Sequence, residues 1–335
     1  MVGHTIATIG SHSALQILRG AREEGFRTLV ICKRGTEKVY KQFKAADEMI
    51  IIDSYDEFPE VEAKLRAENA IIIPHASFIS YMGTEAVEKI NVPYFGNKNI
   101  LKFESDREVE RKWLMDAGLP VPKIFTKAED IDRSVIIKFY GALGGKGYFL
   151  ANSCEDFKEK IKAYKGIKHV IQEYIIGVPI YAHFFYSPLN DTIELLGFDL
   201  RYESNVDSIG RISARDQIAL ERVDPSFVIV GNIPVVVRES LLPRFITMAE
   251  DVVKVSKNIV PGGLWGPFCL ECVITPDLTI YTFEISARIV AGTNPYIHGS
   301  PYSWLYYDEP MSMGRRIARE IKEALKQGKL DKVVQ

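Results

Sequence analysis

The chain has 335 residues, with 42 Lys and Arg against 44 Asp and Glu, a formal charge of −2. With 47% hydrophobic and 26% charged residues it can build real cores, which excludes bulk disorder, and its near-neutral balance argues against a nucleic-acid or membrane surface held by net charge. No apolar run approaches the roughly 20 residues of a membrane span, no basic leader opens the chain, and four cysteines are too few for a disulfide framework at this length, so a cytoplasmic, reducing setting is expected.

Residues 6–9, 28–32, 49–52 and 70–73 are short apolar, β-branched runs. Helical patterns lie between them. Ala14, Leu15, Ile17, Leu18 and Ala21 make one apolar face, Gly25 stands where that helix would be capped, and Val61 and Leu65 mark another helix. The alternation predicts a parallel, doubly wound sheet, closed by a strand at 92–95. A charged helix over 104–117 ends at Gly118, and Leu119-Pro120-Val121-Pro122 is a rigid connector, which places the first domain at 1–122.

A small α+β unit is expected over 123–197: a strand at 135–140, a glycine-rich turn, a strand at 148–151, a helix at 154–164 and a strand at 170–174. A third unit, 198–335, has strands near 228–230 and 235–237 and a helix over 242–259. A hairpin of 268–274 and 279–285 follows, turning at Thr275-Pro276-Asp277, and an amphipathic helix over 311–326 closes the chain. Cys269 and Cys272 form a CxxC, but no second pair exists to complete a zinc site, and the apolar setting reads as a buried strand.

Three features carry chemistry. Glu271 and Glu284 sit on the two strands of the last hairpin, where pairing can set them side by side. Adjacent buried carboxylates repel unless a proton or cation lies between them, and Mg²⁺ suits one or two carboxylates plus phosphate oxygens. A single carboxylate on a solvated sheet face is the alternative; Ser286 and Arg288, alternating with Glu284, favour a polar site. Second, Lys138 ends an apolar strand and is followed by Gly141, Gly144, Gly145, Lys146 and Gly147. Glycines let backbone N–H groups approach oxyanions, and lysines neutralise their charge. The spacing is neither a P-loop nor a Rossmann turn. Third, Gln172-Glu173-Tyr174-Ile175 ends a strand with polar residues followed by apolar ones, as an adenine hinge or a plain strand end would.

In this order and spacing the three features resemble the ATP-grasp superfamily, over about residues 95 to 295. The resemblance implies an N-terminal doubly wound pre-ATP-grasp domain followed by a two-part α+β ATP-grasp fold. It makes Lys138 the second nucleotide lysine and the loop bearing Gly144, Gly145 and Lys146 a lid over the phosphates. It makes Gln172, Glu173, Tyr174 and Ile175 the adenine hinge, and Glu271 and Glu284 the ligands of Mg²⁺ or Mn²⁺. Arg107 stands where lysine is usual; it keeps the charge and changes the geometry. The usual ribose carboxylate, due near Pro179, is missing, and Glu203 in Arg201-Tyr202-Glu203 is the substitute candidate. Arg288 matches an arginine that steadies an acyl phosphate, so the catalytic assignments are Lys138 and Arg288.

Gly10-Ser11-His12-Ser13-Ala14 opens the first helix at the carboxyl edge of the first sheet, a place where anions and ligands bind. Ser11 or Ser13 can equally serve as an N-cap. Ser77 reaches the same edge, and Asn232 interrupts two apolar runs in the third unit, as a ligand contact or a turn residue. Together with residues 262–268 and 283–294, this segment resembles the archaeal formate-dependent FAICAR synthetase (PurP) family over nearly the whole chain. The resemblance implies ATP, formate and AICAR as partners, formyl phosphate as intermediate, His12, Ser13, Ser77 and Asn232 as AICAR contacts, and a closed homo-oligomer, possibly a hexamer. The alternatives are a ligase with another carboxylate or nucleotide acceptor and a non-catalytic AICAR- or AMP-binding relative. The retention of Lys138, Glu271, Glu284 and Arg288 argues against the latter.

Overall fold

A computed structural model describes residues 3–139, 148–220 and 226–335. The strands β1 (Thr5–Ile9), β2 (Arg27–Lys33), β3 (Glu48–Ile52) and β4 (Ala70–Ile72) pair in parallel in the order β3-β2-β1-β4. Thr5 of β1 stands opposite Arg27 on one side and Ala70 on the other. Both faces are covered, as parallel strands require. Ala7, Ile9, Leu29 and Ile31 pack with Phe58 and Leu65, while Ile6 and Ile71 pack with Ile17 and Ala21. The helix Ala14–Glu23 buries Ala14, Ile17, Leu18 and Ala21, and Gly25, at φ 87°, ends it in the left-handed turn that favours glycine.

Two expected elements differ. The strand at 92–95 is reduced to single bridges, Tyr94 to Ile72 and Phe95 to Val334, because Pro93 has no N–H to offer a ladder. The helix at 104–117 is divided: Ile100–Ser105 stops at Asp106, whose carboxylate accepts from the N–H groups of Glu108 (3.0 Å) and Val109 (3.2 Å) and so starts Arg107–Asp116 afresh.

The next sheet holds β5 (Ile124–Phe125), β6 (Val135–Phe139), β7 (Tyr148–Ala151) and β8 (His169–Glu173) in the antiparallel order β5-β8-β6-β7. Its own core is Phe125, Val135, Ile137, Phe139, Phe157 and Ile171. A larger antiparallel sheet follows, from β9 (Val178–Ser187), β10 (Thr192–Glu203), β11 (Ile229–Val235), β12 (Gly266–Ile274) and β13 (Ile280–Ser286), in the order β11-β10-β9-β12-β13. The helix Leu242–Ile259 covers one face through Phe245, Ala249 and Val252.

The hairpin of β9 and β10 spans residues 197–198, so the expected boundary between the second and third units falls inside β10. The runs expected at 228–230 and 235–237 make one strand that includes Pro234. β11 lies at the sheet edge, where a missing N–H costs no ladder bond.

The last helix, Met313–Gln327, returns to the first unit and packs on Ala14–Glu23. The approach is close: a Cβ on Gly20 would lie 2.1 Å from the Arg315 nitrogen, and one on Gly314 2.3 Å from the Gln16 oxygen. Gln335 and Tyr94 exchange backbone hydrogen bonds of 2.9 Å in both directions.

Candidate active site

The open face of the five-stranded sheet is the floor of the site. Alternation along each strand sends Asp199, Arg201 and Glu203 of β10, Tyr181 and His183 of β9, Glu271 and Val273 of β12, and Glu284 and Ser286 of β13 to this one face, where all line a single cavity of about 580 Å³. Glu271 stands directly opposite Glu284. A register shift after this pair sets Cys272 opposite Thr282 and Val273 opposite Tyr281. Tyr281 and Glu284, three residues apart, thus face the same cavity, which a regular strand could not achieve.

Burial and the neighbouring Glu271 raise the Glu284 carboxyl above its usual range, against the pull of Lys138, Arg107 and Arg201. Arg201 donates to Glu271 at 2.6 Å and lies 3.8 Å above the Tyr181 ring, while Ser286 donates to Glu271 at 3.2 Å. Burial holds the Lys138 ammonium below its usual value, with Glu284 pulling it back up, and its Nζ is 5.4 Å from the Phe283 ring centre. Two facing acidic oxygens suit a divalent cation. Among the described residues no group of three or more His, Cys, Asp and Glu is placed to hold a metal, so a cation on this pair would take its remaining ligands from water or phosphate oxygens.

The helices Ile100–Ser105 and Arg107–Asp116 lock this hairpin. Glu110 accepts from the Ile285 N–H at 2.7 Å, and Glu104 accepts from the Ala287 N–H at 2.8 Å while pairing with Arg288 at 2.8 Å. Burial is the main cause that raises both carboxyls; the charge of Glu284 adds to the rise at Glu110, and Arg288 opposes it at Glu104. Arg288 Nε is buried with no acceptor among the described residues, a donor that an anion in the cavity would satisfy.

Of the residues expected from sequence, Arg107, Lys138, Gln172, Glu173, Tyr174, Ile175, Glu203, Glu271, Glu284 and Arg288 line this cavity, and so do His12 and Asn232 from its other end. Gly144, Gly145 and Lys146 lie outside the described residues. Ser13 is buried behind His12, its Oγ 2.9 Å from the ring Nδ1. Ser77 donates to Ser11 at 3.0 Å, and Ser11, within 2.9 Å of the Tyr81 hydroxyl, lines a neighbouring cavity of about 700 Å³ with Lys33 and Tyr55. Burial raises Glu203 to about 7, opposed by Arg201 and aided by Asp207.

His12 adopts φ 48° and stacks on His75, the ring centres 5.5 Å apart and 8° from parallel. Both imidazoles are held below their usual pKa, chiefly by burial; His75 and the arginines push His12 further down, and Arg288 pushes His75 down while the Ile9 carbonyl pulls it up. His75 Nε2–H donates to that carbonyl at 3.0 Å, and its Nδ1 accepts from the Ser77 N–H at 3.3 Å. Asn294 Nδ2 donates to the His12 carbonyl at 3.0 Å, so this end of the cavity is built jointly by the first unit and the segment after β13.

Sequence reasoning missed Arg201, His183, Asp199, Glu104 and Glu110. Polar residues at alternate positions in apolar strands, as at Asp199 and Arg201, were an available signal; the two glutamates look like a solvated helix face until the hairpin covers them. Cys269 and Cys272 are buried free thiols raised by desolvation, in keeping with a strand.

Two family profiles cover the chain, a protein of unknown function over residues 6–125 and a domain of unknown function over 153–335. Two curated relatives are each named 5-formaminoimidazole-4-carboxamide-1-(beta)-D-ribofuranosyl 5'-monophosphate synthetase. The chain is 56% identical to that of Pyrococcus horikoshii over 98% of this chain and 99% of the relative, and 53% identical to that of Pyrococcus abyssi over 98% of each. The crystal structure of an IMP biosynthesis protein PurP from Thermococcus kodakaraensis superposes with a TM-score of 0.78 at 30% identity, covering 98% of this chain and 100% of that one. An ADP complex of N5-carboxyaminoimidazole ribonucleotide synthetase shares the fold alone, with a TM-score of 0.66 at 17% identity over 95% of this chain and 76% of that one. With an ATP-grasp fold and these relatives, the chain belongs to the 5-formaminoimidazole-4-carboxamide-1-(beta)-D-ribofuranosyl 5'-monophosphate synthetase family.

Proposed function

We propose that this chain formylates AICAR to FAICAR with ATP and formate, forming a C–N bond through formyl phosphate. The observation that carries the reading is the facing pair Glu271 and Glu284, ringed by Lys138, Arg107, Arg201 and Arg288, in one cavity that runs from Gln172–Ile175 to His12. A nucleotide base fits the 172–175 end, with Glu203 near its ribose. The phosphates fall among the cations, where a divalent ion on Glu271 and Glu284 would neutralise further charge.

A formate oxygen attacks the γ-phosphorus and ADP departs. Lys138 and Arg288 offset the charge that builds on the transferred group, and the low dielectric of the cavity strengthens both contacts. Arg288 is aimed by Glu104, which leaves its buried Nε for the acyl phosphate. The AICAR amine then attacks the formyl carbon and phosphate leaves. AICAR sits between His12 and Asn232. His12, kept neutral, can donate or accept a hydrogen bond there. The first helix, with its positive end beside His12, favours the 5'-phosphate.

The test is ADP release from Mg-ATP with formate and AICAR, each omitted in turn, with mass detection of the nucleotide. Release that requires both, with a formylated product, is expected. Tight binding of ATP and AICAR without release would overturn the reading.

A further inference from the structure

The cavity floor carries an acid–base pair that the steps above leave unused. His183 and Asp199 are each 1% exposed, and His183 Nε2 donates to Asp199 Oδ1 at 2.8 Å. The second oxygen, Oδ2, accepts from Asn232 Nδ2 at 2.8 Å. Gly292 makes room for the pair: a Cβ there would lie 2.1 Å from Asp199 Oδ1 and 2.7 Å from His183 Cε1. In the neutral imidazole with Nε2–H donating to Asp199, Nδ1 holds the lone pair. It is buried and has no hydrogen-bond partner among the described residues, on a side chain that lines the cavity. Buried polar atoms are seldom left so, and a ligand N–H would satisfy this one.

The strand register says which part of a ligand reaches it. Along β9, Pro179, Tyr181 and His183 face the cavity in turn. Tyr181 stands opposite Glu271, and His183 opposite Cys269, which faces Ser286. His183 is therefore about 7 Å beyond the carboxylate pair, two strand residues on. Pro179 and the 172–175 segment lie on the opposite side of that pair, so a phosphoryl group held at the pair has His183 on its acceptor side.

We propose that His183 takes the proton that the acceptor amine loses as it attacks the formyl carbon, with Asp199 as its positioning residue; the proposal rests on the formyl-transfer reading. The amine lone pair forms the C–N bond, the C–O bond to phosphorus's oxygen breaks with its electrons leaving on inorganic phosphate, and one N–H proton passes to His183 Nδ1. The Asp199 carboxylate steadies the imidazolium through Nε2. The lone pair of an aminoimidazole amine is delocalised into the ring, so removing the proton during attack lowers the barrier.

The other titratable or charged groups on this face and around the cavity include Tyr181 of β9, Arg201 and Glu203 of β10, Cys269 and Glu271 of β12, Tyr281 and Glu284 of β13, Arg288 beyond it, Lys138 of β6, Arg107, and His12 of the first unit. The pH profile is therefore read as a difference between parent and variant.

The test compares two nucleophiles, AICAR and hydroxylamine, which traps formyl phosphate as formohydroxamate without enzymic help. In His183→Gln and Asp199→Asn the ratio of FAICAR to hydroxamate is expected to fall about 100-fold. A ratio is insensitive to partial misfolding. The acid limb of kcat for AICAR in the parent should vanish in His183→Gln. An unchanged ratio, or an equal fall in both products, would overturn the proposal. A parent enzyme that makes hydroxamate but no FAICAR would instead sink the choice of AICAR, and this proposal with it.

Discussion

Glu284 and Glu203 show how position on one floor divides the work of like residues. Glu284 faces Glu271 amid cations, where the proposed function puts the phosphates. Glu284→Gln should lower turnover by about 100-fold or more while AICAR affinity, set at the other end of the cavity, stays nearly unchanged. Rate assays and AICAR titration check this, and an equal loss of affinity would refute the division. Glu203 is raised to about 7, mainly by burial. Its folded form holds a proton that the unfolded form releases, so its contribution is greatest at acid pH and is lost as pH rises through the folded value. Melting curves of Glu203→Gln and the parent should therefore diverge in the variant's favour between about pH 5 and about pH 7.5.

At the scale of elements, the short strands and the helices were legible because their periods are local. The apolar faces of 14–21 and 242–259 and the runs of the first sheet need no tertiary knowledge. The hairpin of β9 and β10 was harder, because its strands are nearly continuous apolar runs with polar residues facing a cavity. The close crossing of the first and last helices was not legible either, since Gly20 and Gly314 look like ordinary helix glycines. Gly20→Ala would place its Cβ 2.1 Å from the Arg315 nitrogen, so the helices must part. A loss of about 2 kcal/mol is expected, read as a lower urea midpoint with the same slope.

Across the whole molecule, the acceptor end depends on contacts between distant segments. Buried Gln16 donates to Thr293 at 2.6 Å and to Asn294 at 2.7 Å, and His75 bridges to Ile289. These ties hold the loop that carries Gly292 against His12. Gln16→Ala should raise KM for AICAR about tenfold, the worth of roughly one buried hydrogen bond, and change KM for ATP much less. Steady-state kinetics with each substrate varied give the comparison. Among the described residues no helix is long and apolar enough to cross a membrane.

The sequence by itself determined the parallel first sheet, the apolar strand that carries Lys138, the strand that ends at Glu173 and the hairpin that carries Glu271 and Glu284, because each is written in residues close along the chain. The facing of Glu271 and Glu284 needs more than the hairpin: counted from Ile274 opposite Ile280, a regular ladder would set Phe283 opposite Glu271, and the register shift brings Glu284 there instead. Only the tertiary structure decided that Arg201 meets Glu271, that Glu104 and Glu110 brace the hairpin, and that His183 and Asp199 form a pair beside Gly292. Those contacts join β10, β9, the helix at 107–116 and the last loop. Their geometry depends on strand order and on burial that desolvates whole groups at once, and no local spacing encodes either.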